Sequence, residues 1–487
     1  MRKILCRADG NSSIGLGHLY RMFALYEMYK EIYDVTFVTR KDSELKVIPK
    51  EYKIKLIPTT VPLSEEPSWF LEHFDTTTHI IIADGYSFID DYQKQLRNIG
   101  FFVMYIDDLV TKKLYANVIV NHAPKLQRGD FNIDYNSVFA LGTKYAILRP
   151  CFLEATINNR IINDIDSVFV CFGGADQYDL SFLTVSVLVD IYEIKNIHVV
   201  LGGAYKHDAI FNLANQYSHI KVYQNLGEKE LIEVMQKSNF AIVPSSTILY
   251  ELCCVKMPIL SGYFVDNQKN IYNGFVQNEL VYPGGDFSKC TEEDIRAKIK
   301  VILKTSNYNC FIANQSKLFD SKIKQRFFNL LLKVDFRTAT LNDTRSIYDW
   351  ANDDLVRQNS FNSDPIEFEA HNTWFSNKIE DQCELFLIGM VEDNDAGLIR
   401  FSIGDEYTVI GISLSKIYRG KNLASKLLIE STKIYFKTNV LPIFAYIKKE
   451  NIASIQAFKN AGFRFLKSEN IQGVESVTYQ LKKNDFN

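Results

Sequence analysis

Three short segments carry residue types that can handle an anion or a proton. In the first, Ile4-Leu5-Cys6-Arg7 runs into Ala8-Asp9-Gly10-Asn11-Ser12-Ser13-Ile14-Gly15-Leu16-Gly17-His18, and helical spacing starts at Leu19. Gly15 and Gly17 admit torsions and close approaches that a side chain blocks, and free amides at a helix start attract existing or developing negative charge. The positive end of the helix dipole disfavours imidazolium, so His18 is expected to be neutral near pH 7 and able to take a proton from water. The competing reading is a tight turn whose histidine caps or packs.

The second segment is in two parts. Phe169-Val170-Cys171-Phe172 ends in Gly173-Gly174-Ala175-Asp176, and Ala241-Ile242-Val243 leads to Pro244-Ser245-Ser246-Thr247-Ile248-Leu249-Tyr250-Glu251. Hydroxyls of Ser246 and Thr247 with helix-start amides can hold a diphosphate, and Glu251 can accept hydrogen bonds from ribose hydroxyls. Ser-Ser-Thr is also an ordinary helix cap. The third segment is Val409-Ile410-Gly411-Ile412-Ser413-Leu414 followed by Tyr418-Arg419-Gly420-Lys421-Asn422-Leu423-Ala424, again a strand, a loop and a helix.

These groups need elements to hold them. Up to about residue 335 the chain repeats a short apolar run, a polar or glycine-bearing loop and a stretch with helical spacing, the grammar of parallel α/β sheets. Strands are predicted at Ile4–Cys6, Val35–Val38, Ile54–Ile57, Ile80–Ala83, Phe102–Ile106 and Val118–Val120, giving one doubly wound, Rossmann-like lobe over 1–155. A second series at Ser167–Phe172, Ile197–Leu201, Lys221–Tyr223, Phe240–Val243 and Pro258–Leu260 gives another lobe over 165–333. Ligands of such sheets bind at the carboxyl ends of the strands, so the substrate is expected between the lobes. After a helical stretch at Cys310–Lys333 the pattern changes to an α+β domain over 335–483, expected to pack against the rest.

Composition narrows the partners. Lys and Arg total 55 against 58 acidic residues, so no basic excess exists for a nucleic acid. No window approaches the ~18 uninterrupted apolar residues of a spanning helix, and the apolar run near Met1 is shorter than a signal peptide's. Eight cysteines without a C-x-x-C pair suggest neither zinc nor disulfides, so no metal is expected and a reducing cytoplasm fits best.

Over roughly residues 1–330 the sequence resembles the UDP-2,4-diacetamido-2,4,6-trideoxy-β-L-altropyranose hydrolases of pseudaminic acid biosynthesis, which are similar to MurG-type glycosyltransferases of the GT-B fold. The resemblance rests on Arg7-Ala8-Asp9 with Ile14–His18, Asp84-Gly85-Tyr86, Ile106-Asp107-Asp108, Gly173–Asp176, Ser245-Ser246-Thr247 with Glu251, and Asn267-Gln268. It implies that His18 activates water and that the second lobe holds UDP. Asp9, Asp84, Tyr86, Asp107, Asn267 and Gln268 would then meet the substrate.

Over about 335–483 the chain resembles the GNAT N-acetyltransferases, whose acyl-CoA loop is written Q/R-x-x-G-x-G/A. Arg419-Gly420-Lys421-Asn422 follows it except that Asn422 replaces the second glycine, and asparagine is among the few other residues that tolerate positive φ. Asn451-Ile452-Ala453-Ser454 through Ala461-Gly462-Phe463 matches the family's other hallmark. The resemblance implies acetyl-CoA as co-substrate, held by Leu414, Arg419, Gly420, Lys421, Asn422, Leu423, Ala424, Asn451 and Ser454. Trp350–Asp353, Val356-Arg357 and His371 with Trp374 look like the subgroup that acetylates nucleotide-linked 4-amino sugars. Phe458 stands where a tyrosine often protonates the departing thiolate, leaving water, Tyr418 or Tyr446 to do so. His371 and Glu392 are candidate aids to amine deprotonation, with a structural role as the alternative for each.

Together the resemblances imply two consecutive steps on one UDP-linked amino sugar, 4-N-acetylation and then removal of UDP. The rivals are a GT-B glycosyltransferase fused to an acetyltransferase, and an inactive sugar-binding scaffold.

Overall fold

The structure, a computed structural model, describes residues 2–11, 14–110, 113–133, 137–305 and 307–485; Ser12 and Ser13 of the histidine loop lie outside them. Its first sheet is parallel and seven-stranded, in the spatial order Ile54–Ile57, Asp34–Arg40, Lys3–Ala8, His79–Asp84, Phe102–Ile106, Val118–Asn121, Val138–Leu141. The second is parallel and six-stranded, in the order Ile220–Gln224, Asn196–Leu201, Ser167–Val170, Phe240–Pro244, Ile259–Tyr263, Tyr282–Asp286. Strand interiors such as Ile80-Ile81-Ile82-Ala83 are buried on both faces, as parallel sheets require. In both sheets the order reverses beside the first strand, and the loops bearing His18, Gly173 and Ser246 all leave strands at that reversal. Such switch points leave a crevice for ligands because successive helices cross to opposite faces there.

Two strands escape the sequence pattern. Tyr282–Asp286 (YPGGD) carries Pro283 and two glycines, poor strand formers tolerated at a sheet edge. Val138–Leu141 is a short edge run. The stretch at Cys310–Lys333 divides into two helices, Tyr308–Leu318 and Ile323–Leu331. The second turns back onto the first lobe, where the Tyr29 hydroxyl donates to the Phe327 carbonyl at 3.0 Å.

The third sheet has seven strands: Val334–Thr338, Glu384–Val391, Asn394–Ile403, Thr408–Leu414, Ile443–Lys448, Val474–Leu481, Arg464–Ile471. All neighbours are antiparallel except Thr408–Leu414 and Ile443–Lys448, which run parallel and pair only at Thr408↔Ile443 and Val409↔Phe444. Past those pairs the strands lose each other, and a gap opens in the sheet. This domain packs on the others, as expected: Lys426 Nζ donates to the Leu330 carbonyl at 3.3 Å and Arg128 Nη1 to the Asn460 carbonyl at 2.9 Å. Among the described residues no helix is long and apolar enough to cross a membrane.

Candidate active sites

The strand Lys3–Ala8 ends in a loop that closes on itself, with Gly15 N–H donating to the Asn11 carbonyl at 2.9 Å. Gly15 has φ +79°, which favours glycine. Gly10 matters for another reason, since a Cβ there would come within 2.6 Å of Leu19. At Gly17 a Cβ would meet nothing, so close packing does not explain that glycine. The helix Gly17–Tyr29 starts with neither a side-chain cap nor an acidic residue in its first turn.

His18 is 6% exposed and its Nδ1 lies 2.7 Å from Oδ1 of fully buried Asp84. Arg21, one helical turn on, grips the same carboxylate with Nε at 2.8 Å and Nη2 at 2.7 Å. Arg21 Nη2 is also 3.0 Å from His18 Nδ1, so Nδ1 has both a carboxylate and a guanidinium beside it. The shorter contact decides the tautomer. A nitrogen lone pair facing a carboxylate oxygen at 2.7 Å is repulsive, so Nδ1 is the donor to Asp84. Tyr86 places its ring edge-on to the imidazole at 4.5 Å, and its hydroxyl donates to Asp108 at 3.2 Å.

Two of the acidic residues expected here are bonded to groups other than His18 and Arg21. Asp9 accepts from Thr39 and the Arg40 amide, both at 2.9 Å, and pairs with Arg7. Burial raises its pKa, but Arg7 more than offsets this and holds the carboxyl below its usual range. It belongs to an ionic cluster with Arg7 and Glu66 that braces the strand ends. Asp107 is also engaged within the protein: it accepts from Asn121 Nδ2 at 2.9 Å and the Val110 amide at 3.2 Å, and burial raises its pKa. Its neighbour Asp108 reaches the site, paired with Arg21 at 2.9 Å. Both stand just past the end of the strand Phe102–Ile106, where the turn, and not the sequence pattern, sets which of the two faces Arg21. Arg21 was legible in principle, being three residues after His18 and so on its face of the helix.

The second lobe meets this site through His122 and Tyr250, whose rings stack at 4.7 Å. His122 Nδ1 accepts from the Ile147 amide at 3.2 Å, and burial, with Arg21 adding to it, pushes its pKa down to about 3. Tyr250 belongs to the helix Thr247–Val255, which Ser246 precedes. The Ser246 side chain makes no capping bond and Thr247 is exposed, so the ordinary capping role is not the one seen. Gly173, at φ +90°, and Gly174 turn the chain after the neighbouring strand, and Asp176 caps the following helix by accepting from the Leu180 and Ser181 amides. Glu251 is engaged: Arg149 Nη2 donates to its Oε1 at 2.6 Å, while burial raises its pKa. Gln268 Oε1 accepts from the Phe264 amide at 3.0 Å, and the Asn267 side chain lies outside the described residues. Arg149 and His122 stand in neither a glycine turn nor a hydroxyl-rich helix start, and Tyr250 lies among the apolar residues of its helix, so the sequence marks none of the three.

In the third domain the gap between Thr408–Leu414 and Ile443–Lys448 opens into a cavity of about 870 Å³. Leu414, Arg419, Gly420, Ala424, Asn451 and Ser454 border it, whereas Lys421, Asn422 and Leu423 do not. Leu423 is packed in the core, and Asn422 Nδ2 donates to the Tyr145 hydroxyl of the first lobe at 3.0 Å. Gly420 has φ +71° and Asn422 φ +59°, so asparagine does hold the left-handed conformation expected of it. Arg419 donates to the Leu414 carbonyl at 2.8 Å and to Asp353 at 2.6 Å, while its buried Nη2 has no partner. Asn451 Oδ1 caps the next helix through the Ser454 amide at 3.1 Å. Phe458 and Tyr446 both border the cavity, and Tyr418 does not. Burial pushes the Tyr446 hydroxyl up to about 12, so it is protonated at neutral pH. Glu392 lies in a turn accepting from the Lys333 amide, away from the cavity, whereas His371 borders it. Among the described residues no cluster of three or more His, Cys, Asp or Glu is placed to hold a metal.

Comparison with known proteins accounts for these parts. Residues 333–464 match the family profile of the acetyltransferase (GNAT) domain. An uncharacterized protein of Methanocaldococcus jannaschii is 23% identical over 95% of this chain and 96% of its own length. The UDP-2,4-diacetamido-2,4,6-trideoxy-beta-L-altropyranose hydrolase of Campylobacter jejuni is 24% identical over 55% of this chain and 94% of its own length. Spore coat polysaccharide biosynthesis protein SpsG of Bacillus subtilis is 23% identical over 54% and 77%. The chain therefore carries a GNAT domain with acetyl-CoA as its co-substrate, joined to a part distantly similar to sugar-nucleotide-processing proteins.

Proposed function

We propose that the chain performs two steps on one UDP-linked sugar. The GNAT domain acetylates the 4-amino group of UDP-4-amino-4,6-dideoxy-N-acetyl-β-L-altrosamine. The two parallel-sheet lobes then hydrolyse UDP-2,4-diacetamido-2,4,6-trideoxy-β-L-altropyranose to UDP and the free sugar. The observation that carries the hydrolase half is the Arg21–Asp84–His18 relay at a sheet switch point. Asp84 fixes the imidazole with Nε2 unprotonated, Nε2 takes a proton from water, and the water oxygen bonds to the anomeric carbon as its bond to the diphosphate breaks. UDP is stable as an anion, so its departure needs hydrogen-bond donors more than an acid. The uncapped helix start at Ser246 and Thr247 and the turn at Gly173-Gly174 supply them in this reading.

Mass spectrometry of products formed in ¹⁸O-water tests it. Expected is UDP release without any added acceptor, with the UDP itself unlabelled because the carbon–oxygen bond is the one cut. Release that needs a sugar or alcohol acceptor would instead favour a glycosyltransferase. For the other half, CoA thiol release should depend on the 4-amino sugar nucleotide.

A further inference from the structure

His371, on the helix Phe368–Ile379, is 3% exposed and borders the cavity in the GNAT domain. Its Nε2 is buried and has no hydrogen-bond partner. The other nitrogen is accounted for, because the ring bonds the backbone at Thr344. A bond that raises a histidine's pKa is one the ring donates, so with Nε2 unpartnered the proton of the neutral ring belongs on Nδ1 and Nε2 is left as the acceptor. A buried acceptor left unsatisfied costs about 1–3 kcal/mol, so it persists where something else supplies the donor. Its surroundings keep it neutral: Tyr348, Trp374 and Phe375 lie at ring distances of 5.5, 5.4 and 6.2 Å. Charged groups by those rings are Arg345, over Tyr348, and Arg400, over Trp374 with Glu384 behind it, and Arg357, Arg419 and Lys448 also line the cavity. Burial lowers the His371 pKa, with the bond to Thr344 working the other way.

We propose that His371 Nε2 is the proton acceptor for the amine that the GNAT domain acetylates, which rests on the acetyltransferase reading above. The acceptor enters as an ammonium ion and gives one proton to Nε2. The neutral nitrogen then bonds to the thioester carbonyl carbon, and the resulting adduct sheds a second proton to water. The carbon–sulfur bond breaks and the thiolate takes a proton from water. Imidazolium returns its proton to water, so the balance is one amide, one CoA thiol and one net proton. A nitrogen in an apolar wall suits this task, because an imidazole that stays neutral below pH 7 is ready as a base at working pH.

The test uses the full chain with His371→Gln and His371→Ala, a UDP-4-amino sugar, acetyl-CoA, and thiol release followed against pH. Gln can accept a hydrogen bond but cannot carry the proton. Expected is a loss in kcat of about 10²–10⁴-fold in both variants near pH 7, with the acetyl-CoA dissociation constant unchanged in both and the thermal midpoint lowered more by His371→Ala, which empties the ring's place, than by His371→Gln. Variant kcat should rise with pH as solvent takes over, while wild-type kcat is flat down to below pH 6.5, the ordinary histidine value. Variants within about threefold of wild type overturn the inference, as does a loss in His371→Gln that leaves the pH profile unaltered. Wild-type protein that binds acetyl-CoA but acetylates no UDP-amino sugar overturns the acceptor reading instead, and the inference falls with it.

Discussion

His18 and His371 are both buried histidines, yet they are held in opposite ways. His18 is held by a chain of polar groups: Asp84 takes Nδ1, Arg21 clamps Asp84, and Asp108 ties Arg21 to Tyr86. His371 sits among rings with one nitrogen tied to backbone and the other unpartnered. The charged frame fixes direction and tautomer, at the cost of depending on every member. The apolar wall fixes the protonation state through desolvation and asks only that the ring stay packed.

The charged frame breaks most easily at its centre. Replacing His18 with Ala should lower kcat for UDP release by about 10²–10⁴-fold while acetyl transfer continues, measured on the same preparation with both substrates. Asp84→Asn should come close to that loss, because a neutral amide lets Nδ1 give up the proton and also leaves Arg21 with a weaker partner. Equal UDP release by wild type and Asp84→Asn would sink the relay.

A smaller effect separates two adjacent carboxylates. Asp108→Asn, which loosens Arg21 and Tyr86, should cost about tenfold in kcat/KM for UDP release. Asp107→Asn should lower the thermal midpoint instead, because its carboxylate holds Asn121 and the Val110 amide.

On the acetyl side the corresponding joint is Asn422. Asn422→Ala puts a side chain that dislikes positive φ into the loop and removes the bond to Tyr145, so acetyl-CoA should bind roughly tenfold more weakly by calorimetry. Tyr145→Phe loses only the bond and should cost less.

The mildest test concerns His122, an apolar-held histidine beside the charged frame. Its folded pKa lies near 3, below the unfolded 6.5, so the folded state binds fewer protons between those values. Its contribution to stability is complete above pH 6.5 and is lost as pH falls toward 3. The thermal midpoint of His122→Gln should therefore decline less steeply over that window than the wild type's.

Local features were legible along the chain because their causes are local. The alternation of buried runs and helical spacing announces two parallel sheets, and the strand-loop-helix order locates His18, Ser246 and Gly420 at or just before helix starts and Gly173 in a turn after its strand. Even the left-handed asparagine at 422 follows from which side chains tolerate positive φ. Edge strands such as Tyr282–Asp286 did not show, because their residues are unremarkable as β formers and only a neighbouring strand makes them one.

Partnership was decided in three dimensions. Nothing near Glu251 in the sequence announces that Arg149, 102 positions earlier, would occupy it, nor that Asp9 would be spent on Arg7 while Asp108 rather than Asp107 turned to Arg21. A carboxylate's role depends on which cation the fold brings within about 3 Å, since Coulomb and hydrogen-bond energies act through space and not along the chain. The sequence alone thus determined which chemistries were present and where each loop begins. The tertiary structure decided which of the acidic residues and histidines are paired and which nitrogen is left open.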